Sequence, residues 1–345
     1  MQINSINKPT NAIFMESCLT NRQHAYRISK LPDRIESNMP RALVTTGTTR
    51  FFGLLTAADA LAQSHSDWDF RFQTGPADFT PQRGEHFEFS HSIEKEYQQA
   101  DLIISHAGAG TLFKLATLGK PCIAVPNLER ADHHQLELAE YFQEQGYCLL
   151  AKTPADLASA FDAAPEFEPQ AFSESAFDAL AFGEATGIRK ATKVHILATE
   201  GGHLAQARLL AERLRGSGLS SDVRIFSDGA ATQAWSELQH PLPHFSGKEL
   251  SPLARILPLL RSSFGREARR MLSQAASGDL LIVLGAGGCI PAALLGRIRG
   301  KKLVVLESRS RVRNRSLTYR MLAPLTQYRL RQYPQKGSRC FGVIY

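Results

Sequence analysis

Cysteine is scarce in this 345-residue chain: Cys18, Cys122, Cys148, Cys289 and Cys340 stand far apart, with no CxxC pair. That argues against a zinc site and against a disulfide framework. No apolar run approaches the roughly 20 residues needed to span a bilayer, and the polar N-terminus does not read as a signal peptide, so a cytosolic location is expected. No aromatic stacking motif or recognition helix accompanies the formal net charge of +7. A nucleic-acid partner is therefore not expected. Asp67-Trp68-Asp69 has the spacing of a metal-binding DxD but reads as a solvent-facing turn before an edge-like strand, so no metal is expected.

Acidic residues are nearly missing from one region: between Arg297 and Arg339, thirteen Lys and Arg face the single acid Glu307. Residues 41–163 carry 9 Lys and Arg against 16 Asp and Glu, whereas residues 189–345 carry 26 against 9. Such a basic surface is expected to seek phosphates on an anionic lipid or a diphosphate-linked substrate.

The length favours two domains. Residues 1–40, with Pro9, Pro32 and Pro40, lack periodicity and read as an extension. From Arg41 to residue 163, apolar runs such as Leu43-Val44-Thr45 and Leu102-Ile103-Ile104 alternate with helical patterns, the signature of parallel βα units. The pattern lapses over 164–190, read as a linker, and resumes over 191–345 with Val194 to Leu197, Val223 to Phe226, Leu280 to Leu284 and Leu303 to Leu306. The expected fold class is α/β, with two Rossmann-like domains. Ligands of open parallel sheets sit beyond the carboxyl ends of the strands, so the Gly-rich turns of both domains should face one interdomain cleft.

The first such turn is Ser105-His106-Ala107-Gly108-Ala109-Gly110-Thr111, between a strand and a helix. Free N–H groups at a positive helix end suit a diphosphate. Taken alone, it reads rather as a tight βα turn whose glycines permit close packing. Together with Val44 to Phe51, Gln73-Thr74-Gly75, Gly119-Lys120-Pro121, Val125-Pro126-Asn127 and His134-Gln135, it resembles the C-terminal domain of glycosyltransferase family 28. This domain is found in the catalytic subunit of the two-subunit UDP-GlcNAc transferase acting on lipid-diphosphate-linked GlcNAc, in MurG, and in bacterial capsule and exopolysaccharide transferases. Glu200 to Leu204, Gly285 to Gly288, Glu307 to Val312 and Ser316-Leu317-Thr318 resemble the membrane-recruiting acceptor subunit of the same enzyme. The resemblance thus implies a fusion with the donor domain first and a GT-B-like cleft.

What the resemblance implies is an inverting, metal-independent hexosyltransferase that needs no cofactor. Its donor is UDP-GlcNAc or another UDP-sugar, including UDP-glucuronate, and its acceptor a polyprenyl-diphosphate-linked saccharide. Gly47, Thr48, Thr49, His106, Gly108, Ala109, Gly110, Thr111, Asn127, His134 and Gln135 would bind the donor, with His133 on the same loop. For Gly47, Thr48 and Thr49 a βα turn capped by a threonine hydroxyl is the other reading. Many relatives carry a ribose-binding Glu three residues after the motif threonine, where this chain has Lys114; a lysine cannot accept those bonds.

His203, at a helix start, is read either as the general base, with its pKa lowered by the helix, or as a ligand of the acceptor diphosphate. Glu307 is the other catalytic candidate, also read as a structural ion pair. Gly201, Gly202, Gly287, Gly288, Arg309 and Arg311 would bind acceptor or phosphate. Arg309, Arg311, Arg313 and Arg315 would meet phosphate or lipid headgroups, and Leu250 to Leu272 lies at an anionic membrane or on the core. The expected location is peripheral, on the inner face of the membrane. A homo-oligomer is left open. Two other classes compete: a non-catalytic sugar-nucleotide-binding or membrane-recruiting scaffold, and a dinucleotide-dependent oxidoreductase, suggested by Gly285-Ala286-Gly287 but lacking the third glycine, where Ile290 stands.

Overall fold

Runs such as Leu102-Ile103-Ile104 and Leu280 to Leu284 are apolar throughout, as strands covered on both faces of a parallel sheet must be. In the computed structural model every one of these residues is buried. The structure describes residues 39–90, 92–129, 134–189, 192–220, 222–229, 239–241, 279–285, 287–326, 328–334 and 339–344. All but the end of the N-terminal extension, together with His133 and Leu250 to Leu272, lies outside the described residues.

The first lobe runs β1 (Arg41–Thr45), α1 (Phe52–Ser64), β2 (Asp69–Gln73), β3 (Glu85–Phe87), α2 (Ile93–Gln99), β4 (Leu102–Ser105), α3 (Ala109–Leu118), β5 (Cys122–Ala124), α4 (His134–Glu144), β6 (Leu149–Leu150) and α5 (Leu157–Asp162). Its parallel sheet has the order β3-β2-β1-β4-β5-β6. The order reverses between β1 and β4, and this is where an open α/β sheet leaves a crevice. Thr45 lies opposite Ser105 there, so the loops opening at Thr46 and His106 are neighbours.

The second lobe runs α6 (Ala179–Thr186), β7 (Val194–Ala198), α7 (Gly202–Gly216), β8 (Val223–Ser227), β9 (Gln239–Pro241), β10 (Leu280–Leu284), α8 (Ile290–Ile298), β11 (Lys302–Leu306), α9 (Leu317–Leu322), β12 (Tyr328–Arg331) and β13 (Arg339–Cys340). Its sheet, β13-β12-β11-β10-β7-β8-β9, is also parallel, and its order reverses between β7 and β10. The two parallel sheets expected from the sequence are both present.

Two local readings need correction. The strand after Asp67-Trp68-Asp69 is not an edge, because β3 pairs outside β2, and the Asp69 carboxylate accepts a bond from Arg41 Nε at 2.9 Å. The 164–190 stretch does more than connect. It contains α6, whose first turn is capped by Asp178 accepting from the Ala181 N–H at 2.9 Å. Phe177 and Phe182 enter the second lobe's core, an aromatic contribution that a lapse in βα periodicity conceals.

The lobes share packing. Val312, Tyr333 and Val343 of the second lobe's chain join the core formed by α3 and α4, whereas Ile344 joins the core under β7 and β10. Successive residues of an extended segment point to opposite sides, so Val343 and Ile344 pin one core to the other. The bridge from Val343 to Ala176 passes Gly342 at φ +85, where a Cβ would meet the Ala176 carbonyl oxygen at 2.4 Å.

Candidate functional site

At the first switch point the chain turns through Ala107, the only described residue other than glycine with positive φ (58°), a conformation costing about 1 kcal/mol. Gly108, at φ −66, has no need of glycine's torsional freedom. It is required for space: a Cβ there would meet His106 Nε2 at 2.3 Å, and one on Gly47 would meet His106 Cε1 at 2.7 Å. His106 is thus a buried ring seated between the two turns. Gly108 is the N-cap of α3 and no side chain caps the helix. The N–H groups of Ala109, Gly110 and Thr111 lie in the first turn of the helix, an arrangement that suits an anion.

Thr49 does not cap α1, whose N-cap is Phe51; its hydroxyl donates to the Thr46 carbonyl at 3.0 Å, closing the turn. Thr48 is exposed at the tip. Thr111 hydrogen-bonds the phenol of Tyr97, a buried residue. Asn127 and Gln135 are both buried: Gln135 Oε1 accepts the Asn127 N–H at 3.0 Å, while the Asn127 amide bridges the Arg50 carbonyl and the Glu129 N–H. They shape the loop beside the cradle. Lys114 pairs with Glu94 at 2.6 Å on the first turn of α2.

At the second switch point the structure has a cavity of about 200 Å³. Its walls are the β10 and β11 ends, Gly285 and Gly287, His203, the loop from Glu307 to Arg311, and Ser316 to Tyr319 of α9, with His134 contributed by the first lobe. Among the sequence candidates it gathers His134, His203, Gly287, Glu307 and Arg311; Arg309 and the 106–111 turn are outside it. Gly201, with φ +84 and ψ −136, holds a conformation essentially closed to other residues and starts α7. His203 follows, its Nδ1 3.1 Å from the Thr199 hydroxyl, which fixes the ring.

Glu307 is buried, and burial pushes its carboxyl above the ordinary carboxylate range, opposed by bonds from the Ser316 N–H at 2.8 Å and the Ser308 N–H at 3.1 Å. Those bonds close the loop between β11 and α9. Arg331, 1% exposed, donates to the carbonyls of Arg311 (3.0 Å), Val312 (3.1 Å) and Asn314 (3.4 Å) and so sets the loop's path. The arginine run does not form one surface. Arg311 lines the cavity, Arg315 lies over the Tyr319 ring at 5.8 Å, Arg313 pairs with Glu140 and Glu144 of α4, and Arg309 is buried against α3.

Tyr319 was missed in the sequence. It is 2% exposed, it lines the cavity, and its hydroxyl is buried without a hydrogen-bond partner. Such a group costs about 1–3 kcal/mol until something satisfies it, so a polar ligand in the cavity would gain by reaching it. Its one sequence signal is Ser316, which caps the Tyr319 N–H at 3.1 Å. No helix among the described residues is long and apolar enough to cross a membrane, and no described group of three or more His, Cys, Asp or Glu is placed to hold a metal ion.

Residues 41–174 match the glycosyltransferase family 28 C-terminal domain. UDP-N-acetylglucosamine transferase subunit ALG13 of Mus musculus is 33% identical over 137 residues, 35% of this chain and 12% of that protein. The UDP-N-acetylglucosamine–N-acetylmuramyl-(pentapeptide) pyrophosphoryl-undecaprenol N-acetylglucosamine transferase of Desulfotalea psychrophila is 50% identical over 64 residues, 19% of this chain and 17% of that protein. The chain therefore spans less than a fifth of these curated relatives. The NMR solution structure of ALG13 aligns with 38% of this chain and 89% of its own, at 22% identity and TM-score 0.31. The matched stretch, residues 41–174, takes in the whole of the first lobe.

Proposed function

We propose that this chain is a UDP-sugar-dependent glycosyltransferase, inverting and metal-independent, which passes a sugar to a polyprenyl-diphosphate-linked saccharide at the inner face of a membrane. The donor is UDP-GlcNAc or another UDP-hexose or UDP-hexuronate, held at the 106–111 turn of the first lobe. The acceptor occupies the cavity at the second switch point. One observation carries the reading: the cavity takes its walls from the second lobe's Gly-rich turns and its remaining wall, His134, from the family 28 lobe.

In this reading the acceptor hydroxyl attacks the anomeric carbon, the bond from that carbon to the diphosphate breaks, and UDP leaves with the electron pair. His203 takes the proton, its ring oriented by Thr199. Glu307 acts as a positioning residue, because both its oxygens are committed to loop N–H groups. The scaffold reading is favoured by one feature, the Lys114 to Glu94 ion pair at the position where the resemblance implies a ribose-binding glutamate. Turnover separates the two. A mass-spectrometric screen of UDP-sugars against lipid-linked acceptors is expected to give one transfer product, and His203→Ala should lower turnover roughly 10²- to 10⁴-fold with donor KM little changed. Absence of product with every pair, despite UDP binding, would leave the scaffold.

A further inference from the structure

Arg309 is an unusual cation. It is 5% exposed, and among the described residues no carboxylate pairs with it. Its Nη1 donates to the Ile344 carbonyl at 3.0 Å, its guanidinium carbon lies 5.1 Å from the centre of the Phe113 ring, and its Nε has no hydrogen-bond partner. Burial pulls its pKa down to about 10, with Tyr333 opposing the shift. A buried, unpaired charge is costly, and side chains retained in that state usually have an anion to meet.

Its position says which anion. Gly110 is in the first turn of α3, and a Cβ built there would lie 3.5 Å from Arg309 Nη2. Arg309 therefore reaches out of the second lobe to the uncapped N-terminal turn of the first. The rest of the residue is held in place. Its N–H donates to Gln206 Oε1 at 3.1 Å and its carbonyl accepts from the Tyr333 hydroxyl at 3.1 Å, while Gln332 donates to Gln206 Oε1 at 2.8 Å. All three partners are buried, so the guanidinium is preorganised.

We infer that Arg309 is a donor-side residue: the diphosphate of the sugar nucleotide is held jointly by the N-terminal N–H groups of α3 and by the Arg309 guanidinium from the opposite lobe. This rests on the proposed donor site and changes its composition, from a cradle contained in one lobe to one completed by the other. It also moves Arg309 from the acceptor side, where the resemblance alone had put it. Two lobes gripping one dianion would couple donor binding to their closure.

The test uses the full chain and two probes, UDP and uridine, which share the nucleoside and differ in the diphosphate. Arg309→Met is expected to weaken UDP binding roughly tenfold to a hundredfold and to leave uridine binding unchanged, with Arg309→Lys between it and the parent. Equal losses for UDP and uridine, or unchanged UDP affinity in both variants, would overturn the assignment and leave Arg309 as a wedge between lobes. If Arg309→Met does not fold, Arg309→Lys decides, since its cation and stem are retained and only the fork is lost. A parent protein that binds uridine but gains nothing from the diphosphate sinks the Arg309 assignment by itself. A parent that binds neither sinks the donor site as well.

Discussion

Both sheets reverse their order at the same point of the same winding, yet they fill that point differently. Between β1 and β4 the space under the turn is taken by protein: the His106 ring lies against Gly47 and Gly108, and an added methyl at either glycine would collide with it. Between β7 and β10 only the first glycine is crowded, a Cβ on Gly285 meeting Cys289 Sγ at 2.9 Å and the Thr199 nitrogen at 3.1 Å. Beyond it a Cβ on Gly201, Gly202 or Gly287 would meet nothing within 4 Å, and Gly287 lines the cavity. One turn presents backbone to a small anion from a rigid floor, which suits tight placement of a diphosphate. The other surrounds a volume with hydroxyls, which suits a larger hydroxylated ligand.

The contrast breaks most visibly at the glycines. Gly108→Asp puts a side chain into the His106 ring and a negative charge where an anion should sit. UDP affinity in calorimetric titration is expected to fall more than about 100-fold. Gly287→Ala, at the corresponding turn of the second lobe, should leave UDP affinity unchanged and stability within about 0.5 kcal/mol. Equal effects of the two would mean that the turns do not differ as their packing says.

Much of this difference was hidden in the sequence. Apolar runs identified the central strands, because a strand covered on both faces has no polar position. The short outer strands were missed: β3, β6 and β13 are two or three residues long and partly exposed, too brief to show a period. The Gly-rich turn after β4 was legible, but not that its glycine makes room for a histidine, since that depends on a ring lying 2.3 Å from where a Cβ of residue 108 would stand. The basic run was misread as one phosphate-seeking surface. Lys301 and Arg331 are almost wholly buried and Arg309 stacks on Phe113, and nothing in the spacing of charges tells an arginine collecting carbonyls from one facing solvent. Glu307, a lone acid among arginines, read as a catalytic candidate or a structural ion pair; its oxygens accept the Ser308 and Ser316 N–H groups, a role that the spacing of charges does not show.

The lobes also differ in how they should respond to acid. His195 on β7 is buried, and burial, followed by the Lys301 charge, holds its imidazole down to about 4 from 6.5. Asp279 and Asp222 oppose that shift and Arg224 adds to it. Because the folded pKa lies below the unfolded one, the unfolded chain binds the proton first as pH drops below about 6.5. Stability is therefore full above that value and is lost toward pH 4, by at most roughly 3 kcal/mol. Thermal unfolding at pH 7 and pH 5 should show the parent losing stability. His195→Phe, which keeps a ring 5.5 Å from Phe226, should lose less. Parallel losses in the two would assign the acid limb to other groups.

The contact between lobes offers the finest comparison, because two acids of α4 meet the same loop with different burial. Glu137 is 8% exposed, and its carboxylate accepts the Asn314 N–H and the Asn314 amide, both at 2.8 Å, along with the Arg313 N–H. Removing it leaves three part-buried donors of Arg313 and Asn314 without their shared acceptor, so Glu137→Ala should cost about 1–2 kcal/mol in urea unfolding. The Arg313 side chain meets Glu140 and Glu144 at a surface where it is half exposed. Water competes there and salt screens, so Arg313→Ala should cost under about 1 kcal/mol and the loss should shrink further in high salt. If the two substitutions cost the same, the lobes are held by net charge, acidic against basic, as the composition alone would have it. A larger loss at Glu137 that persists in salt means that they are held by a fixed set of N–H bonds, the more rigid link that a shared grip on one ligand requires.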